Sequence, residues 1–179
     1  MKKIPFVSTV LLVLSFLICS CSPSTTGVGG ASNASAPTPG QESPSGKMTI
    51  TLGGAELKIG MEFSDTVLTS IGTPDDVMKA QSCHYDGEDS IYVFGGCSLY
   101  TYKTDKKEVL YLIEINDENT TAPLGGKIGM STAEIEAIYG DKYERTGTAM
   151  KYTIDGVLLI VHFSDSTVNS IELCEDSLT

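Results

Sequence analysis

Leu52-Gly53-Gly54, followed by Lys58-Ile59-Gly60-Met61, recurs as Leu124-Gly125-Gly126-Lys127-Ile128-Gly129-Met130, with the same elements now run together. Each copy leads into a short helical pattern closed by glycine: 63–71 before Gly72, and 131–139 before Gly140. The second helix is the better signed. Ser131-Thr132-Ala133-Glu134 is a capping box, in which the Ser131 hydroxyl faces the first free N–H groups and Glu134 reaches back. Ile135, Ile138 and Tyr139 stand at i, i+3 and i+4 and make one apolar stripe. Gly140 supplies the left-handed residue that closes the helix. In the first copy Ser64 is the N-cap, Val67, Leu68 and Ile71 form the stripe, and Gly72-Thr73-Pro74 stops it. Helices of two to three turns do not persist alone, so both must pack on something.

The rest of each half reads as sheet. After Gly72, strands are expected near 80–85, 90–94, 97–103 and 108–116, with turns at Asp86-Gly87, Gly95-Gly96 and 104–107. After Gly140 they are expected near 143–146, 149–154, 157–163 and 168–173, and Asp155-Gly156 is a two-residue hairpin signal. Period two puts Val109, Tyr111, Ile113 and Ile115 on one face. Val157-Leu158-Leu159-Ile160-Val161 is apolar on both faces and predicts a central strand. The expectation is an α+β fold of two tandem helix-plus-antiparallel-meander repeats, 48–119 and 120–179, forming one sheet with short helices on one face.

What precedes residue 48 places the protein. MKKIPFVSTVLLVLSFLICSC, residues 1–21, has a short basic start at Lys2 and Lys3 and an apolar core at 10–18 too short to span a bilayer permanently. Ile18-Cys19-Ser20-Cys21 resembles a bacterial lipobox, which implies a signal peptide over 1–20 and acylation of Cys21. Each buried CH₂ contributes about 0.8 kcal/mol, so two or three chains make a durable membrane anchor. The expected location is the extracytoplasmic face of the cell membrane. Residues 22–47 are nearly all Ser, Thr, Gly, Pro and Ala, with Val28 the sole sizeable apolar side chain. Such a segment cannot offset its ordering entropy, and as a flexible coil it reaches roughly 25–30 Å.

Charge excludes one class of partner. The chain carries 12 basic and 23 acidic residues, a net charge of −11; loss of Lys2 and Lys3 with the signal makes it −13. Such a chain is repelled by nucleic acid and by anionic headgroups. The acids are dispersed, and Asp86, Glu88 and Asp89 crowd one turn without the spacing of an EF-hand, so a solvated turn is the better reading. Cys19 leaves with the signal and Cys21 is lipidated, which leaves Cys83, Cys97 and Cys174. An odd number outside the cell allows at most one intramolecular disulfide, and no Cys-x-x-Cys suggests a redox centre or zinc knuckle. His84 and His162 are too few and too far apart to propose a metal site.

The unit of Ile-Gly-Met, short helix, Gly and a meander ending Val168-x-x-Ile171-Glu172-Leu173 resembles the repeat of beta-lactamase-inhibitor-protein-like domains. It is also similar to the single unit of SmpA/OmlA-type envelope lipoproteins. Ser82-Cys83-His84-Tyr85-Asp86-Gly87, with Ile91-Tyr92-Val93-Phe94 and Thr101-Tyr102, further resembles uncharacterised lipoproteins of Gram-positive gut bacteria. The resemblance covers most of 48–173. It implies one long antiparallel sheet with helices on one face and an open face opposite, which in the inhibitor family holds a partner protein. No partner-contacting residue matches this chain, and the absence of Trp is a departure that argues against a β-lactamase target. In the inhibitor family a spacing like that of Cys83 and Cys97 carries a disulfide. Two readings stay open here: a Cys83–Cys97 bridge, or two buried thiols packing as small hydrophobes.

Among individual side chains Tyr92, Tyr100, Tyr102 and Tyr111 stand out. Tyrosine contributes a large rigid contact area while its hydroxyl stays hydrated, which suits a binding face. Cross-strand packing on a half-buried sheet accounts for the same residues. No Gly-x-Ser-x-Gly, Ser-x-x-Lys, His-Glu-x-x-His or phosphate loop occurs, so no catalytic residue and no cofactor are expected. The expected function is a non-enzymatic cell-envelope lipoprotein that binds a protein or envelope partner through its open sheet face. A surface solute- or peptide-binding lipoprotein is the alternative, and requires a closed pocket; an unrecognised enzyme comes third, and requires a cleft with perturbed titratable groups.

Overall fold

The computed structural model describes residues 46–82 and 85–178. The signal segment, Cys21, most of the linker and Cys83 lie outside them. Ten strands and two helices follow in order: β1 Thr49–Leu52, β2 Ala55–Lys58, α1 Asp65–Ile71, β3 Asp76–Gln81, β4 Glu88–Phe94, β5 Cys97–Lys103, β6 Glu108–Ile115, α2 Thr132–Tyr139, β7 Glu144–Thr146, β8 Ala149–Ile154, β9 Val157–Ser164 and β10 Thr167–Glu175. Short 3₁₀ turns occupy Pro123–Gly125 and Asp176–Leu178.

Eight strands make one sheet in the order β3-β4-β5-β6-β10-β9-β8-β7, every pair antiparallel. The α+β class holds, with sheet strongly dominant. Two meanders meet where β6 pairs with β10, Ile115 opposite Ile171 and Ile113 opposite Leu173. The sequence signals are realised locally. Ser64 caps α1 by accepting from the Val67 N–H, and the Ser131–Glu134 capping box is complete. Ile135 and Tyr139 are buried and Ile138 is half-buried, as the stripe requires. Gly72 and Gly140 close the helices at positive φ, each donating its N–H to the carbonyl four residues back, Leu68 and Glu136.

The segments before the two helices are anchored alike. Gly60 donates to the Leu110 carbonyl and Leu110 returns a bond to Met61; Gly129 donates to Val168 and Val168 returns one to Met130. Isolated bridges Glu62–Val109 and Ser131–Thr167 continue these contacts. The helices and the β1–β2 hairpin thereby lie on one face of the sheet. Ile50, Leu57, Phe63, Ile135 and Tyr139 join Leu99, Ile113, Ile115, Leu159 and Ile171 in a single core. β9 pairs on both sides, with Leu159 and Val161 in that core and Leu158 and Ile160 in a second, smaller cluster with Ala149 and Cys174 on the opposite face.

Three expectations need correction. The β1–β2 hairpin was not foreseen, because Leu52-Gly53-Gly54 reads as a motif and its flanking strands have only four residues each. Gly53 turns it at φ 57, so close to α1 that a Cβ there would stand 2.3 Å from the Ile71 carbonyl oxygen. The strand expected near 80–85 is β3 at Asp76–Gln81. All six of its residues are exposed on the sheet edge, so it carries no burial pattern to read. Tyr111 does not share a face with Ile113 and Ile115. The β5–β6 register shifts between Tyr100, opposite Leu112, and Thr101, opposite Leu110. This β-bulge leaves Tyr111 unopposed and turns it with Leu112 to the face away from the helices.

Candidate functional site

That uncovered face carries the tyrosines. Tyr100 and Tyr102 project from β5, and Tyr111 from the bulge in β6. Tyr85 folds back from the β3–β4 connection to stack on Tyr102, with ring centroids 3.8 Å apart and planes within 13°. Tyr111 meets Tyr85 edge-on at 5.6 Å, and also contacts Tyr102 at 5.9 Å and Tyr100 at 6.4 Å. Tyr85, Tyr100 and Tyr102 are half-buried, whereas Tyr111 at the centre is only 8 % exposed. The three contacts of Tyr111 fall in the range of about 4.5–7 Å that favours tilted and edge-to-face ring pairs, while Tyr85 lies closer and nearly parallel on Tyr102.

Carboxylates surround the cluster. The Tyr100 hydroxyl donates to Glu114 Oε2 at 2.9 Å, the Tyr85 hydroxyl to Glu175 Oε2 at 3.1 Å, and the Tyr111 hydroxyl, weakly, to Asp89 Oδ2 at 3.5 Å. Burial, and next the Glu114 hydrogen bond and charge, push the Tyr100 phenol up to about 12. Burial and then Glu175 raise Tyr85 and Tyr102. A phenol so raised stays protonated at neutral pH and serves as a donor, neither base nor nucleophile.

Tyr92, expected with this set, belongs elsewhere. It points under the helices, 9 % exposed, its ring 5.0 Å from Phe63 and its hydroxyl on Glu108 Oε1 at 3.0 Å. It is a core residue because Tyr92 opposes Leu99, on the helix side of β5, while Ile91 opposes Tyr100.

Of the three cysteines left to the mature chain, two fall on described residues. Cys97 is a free thiol, wholly buried in the helix-side core, and Cys174 is a free thiol in the opposite cluster. Cys83, the other member of the expected pair, lies outside the described residues.

The acidic turn does not converge on a point either. Glu88 lies 3.4 Å from Lys79 Nζ while Asp89 turns beneath the tyrosines. Among the described residues no group of three His, Cys, Asp or Glu is placed to hold a metal. A hollow of about 780 Å³ is lined by Met48, Ile59, Met61 and Val157, by Lys47 and Glu56, which touch as an ion pair, and by Glu175, the acceptor of Tyr85.

Two features of the site escaped the sequence. Tyr85, expected to end a strand near 80–85, lies beyond β3 and stacks on Tyr102. Glu114 and Glu172 are opposed across β6 and β10, a pairing between halves that no local pattern announces. Compared with family models, curated proteins and solved structures, the chain matches none of them.

Proposed function

We propose that this protein is a non-enzymatic, lipid-anchored module of the cell envelope that binds a protein partner through the open sheet face. The observation that carries the reading is the patch of Tyr85, Tyr100 and Tyr102 over Tyr111, on the side of the sheet that none of the described helices covers. Half-buried, pre-packed rings lose little entropy on binding and supply the contact area typical of interface hot spots. The Ile18-Cys19-Ser20-Cys21 spacing supports the anchor, and the composition of 22–47 supports a tether that holds the domain clear of the headgroups. Among the described residues no helix is long and apolar enough to cross a membrane. The matched bonds at Gly60 and Gly129 support reading 48–119 and 120–179 as tandem repeats, in line with the resemblance to inhibitor-like and SmpA/OmlA-type units. The hollow beside Met48 and Met61 is the feature that would serve a solute-binding role; its wide opening suits a small ligand poorly.

Two measurements test this. Mass spectrometry of the membrane fraction should find an acylated N-terminal Cys21; a secreted chain with an unmodified Cys21 removes the anchor. Cross-linking in the native envelope should recover a partner with the wild-type chain and not with Tyr100→Ala plus Tyr102→Ala, a loss of about 2 kcal/mol or more for hot-spot rings. Equal recovery by both chains sinks the binding face.

A further inference from the structure

The tyrosine face carries carboxylates that no described lysine or arginine pairs. Glu114 and Glu172 stand directly opposite each other on β6 and β10, an arrangement of like charges that disfavours strand pairing. Tyr100 donates to Glu114, and His162 Nε2 lies 3.0 Å from Glu172 Oε1. Asp89 Oδ1 is buried with no hydrogen-bond partner, and Glu175 accepts from Tyr85. Among the described residues no lysine or arginine nitrogen lies within 4 Å of any of these four carboxylates.

Ring faces set among such carboxylates select for cations. The quadrupole of a tyrosine ring attracts a guanidinium or ammonium over its face. A carboxylate accepts two parallel N–H bonds from arginine, which stacks as well as bonds. Resting on the reading of the open face as the working surface, we propose that its partner presents a basic segment, with an arginine seated on the tyrosine patch and held by Glu114 and Glu172.

Charge also removes other occupants. The tether 22–47 has a single basic residue, Lys47, which is engaged by Glu56. A second copy brings a net charge of −11 to a face already acidic. Anionic lipid and nucleic acid are repelled in the same way.

The test titrates the full chain, purified in detergent, with a seven-residue peptide alternating glycine and arginine and with its citrulline counterpart, which keeps the shape and removes the charge. The arginine peptide should bind at least tenfold more tightly than the citrulline one. Glu114→Gln with Glu172→Gln should weaken it at least tenfold. Glu118→Gln with Asp141→Asn, exposed acids in the connections flanking α2, removes the same charge and should weaken it less than twofold. Equal binding of the two peptides, equal loss from the two charge pairs, or no saturation up to millimolar peptide overturns the proposal; the peptide comparison needs only the wild-type chain and so survives a variant that does not fold. If the proposal falls while Tyr100→Ala plus Tyr102→Ala still abolishes partner recovery, the binding face stands and only its cationic ligand is wrong.

Discussion

Gly60 and Gly129 make the same hydrogen bond at nearly the same backbone angle: φ 81 and 86, each N–H reaching a sheet carbonyl, Leu110 or Val168, at 2.8 Å. No side chain crowds Gly60, and the nearest atom to a Cβ at Gly129 is Glu118 Oε1 at 4.0 Å. Glycine is therefore required there by conformation alone.

Gly60→Ala and Gly129→Ala should each destabilise the domain by about 1–2 kcal/mol, the cost of a left-handed L-residue. Urea unfolding measures it through the midpoint at constant slope. A change below a few tenths of a kcal/mol at either site would falsify the account of these turns.

Tyr92 and Tyr100 should respond oppositely to truncation. Tyr92→Ala empties a core position and removes one of the two hydroxyl donors to Glu108 Oε1, leaving Thr101, so a loss of about 3–5 kcal/mol is expected. Tyr100→Ala should cost about 1 kcal/mol and leave the circular dichroism spectrum unchanged. Equal destabilisation by the two would mean that the open face is a second core.

Cys97 and Cys174 should be silent to thiol reagents. Burial, and next Asp117, pushes Cys97 up to about 12, and burial, then Glu172, pushes Cys174 up to about 11, so neither forms appreciable thiolate at pH 8. In a Cys83→Ser chain starting at residue 22, Ellman's reagent should titrate no thiol in buffer and two in urea. Rapid reaction of either thiol in the folded state contradicts the placement.

The capping box should make stability fall with acid. The Ser131 N–H and hydroxyl hold the Glu134 carboxyl below its ordinary 4.5. A depressed folded value means that the contribution is present above about 4.5 and disappears as pH drops through the folded value. Thermal unfolding of wild type and Glu134→Gln should therefore differ most at pH 6–7 and converge toward pH 3. A gap that widens in acid would reverse the sign and reject the assignment.

The helices were legible because their signals are local: Ser131 and Glu134 stand three residues apart, and Gly140 follows directly. The central strands were legible because β9 is apolar on both sides. Less legible was anything set by which strand lies next to which. β3 has no buried residue to mark it, and Tyr92 and Tyr100 look alike until the register assigns them to opposite faces. The Glu114–Glu172 opposition depends on contact between the two halves, 58 residues apart in sequence.

The bulge opposite Tyr100 and Thr101 has a consequence for how this surface changes over evolutionary time. Strand side chains alternate, so one residue more or fewer inverts every position on one side of the change. Deleting a single residue at the bulge would restore strict alternation and bring Tyr111 or its replacement out of step with the ring cluster, with no codon elsewhere altered. The aromatic character of the open face is thus governed by strand length as much as by residue identity, and indels in β6 are a more abrupt route to a new specificity than point substitutions on the face itself.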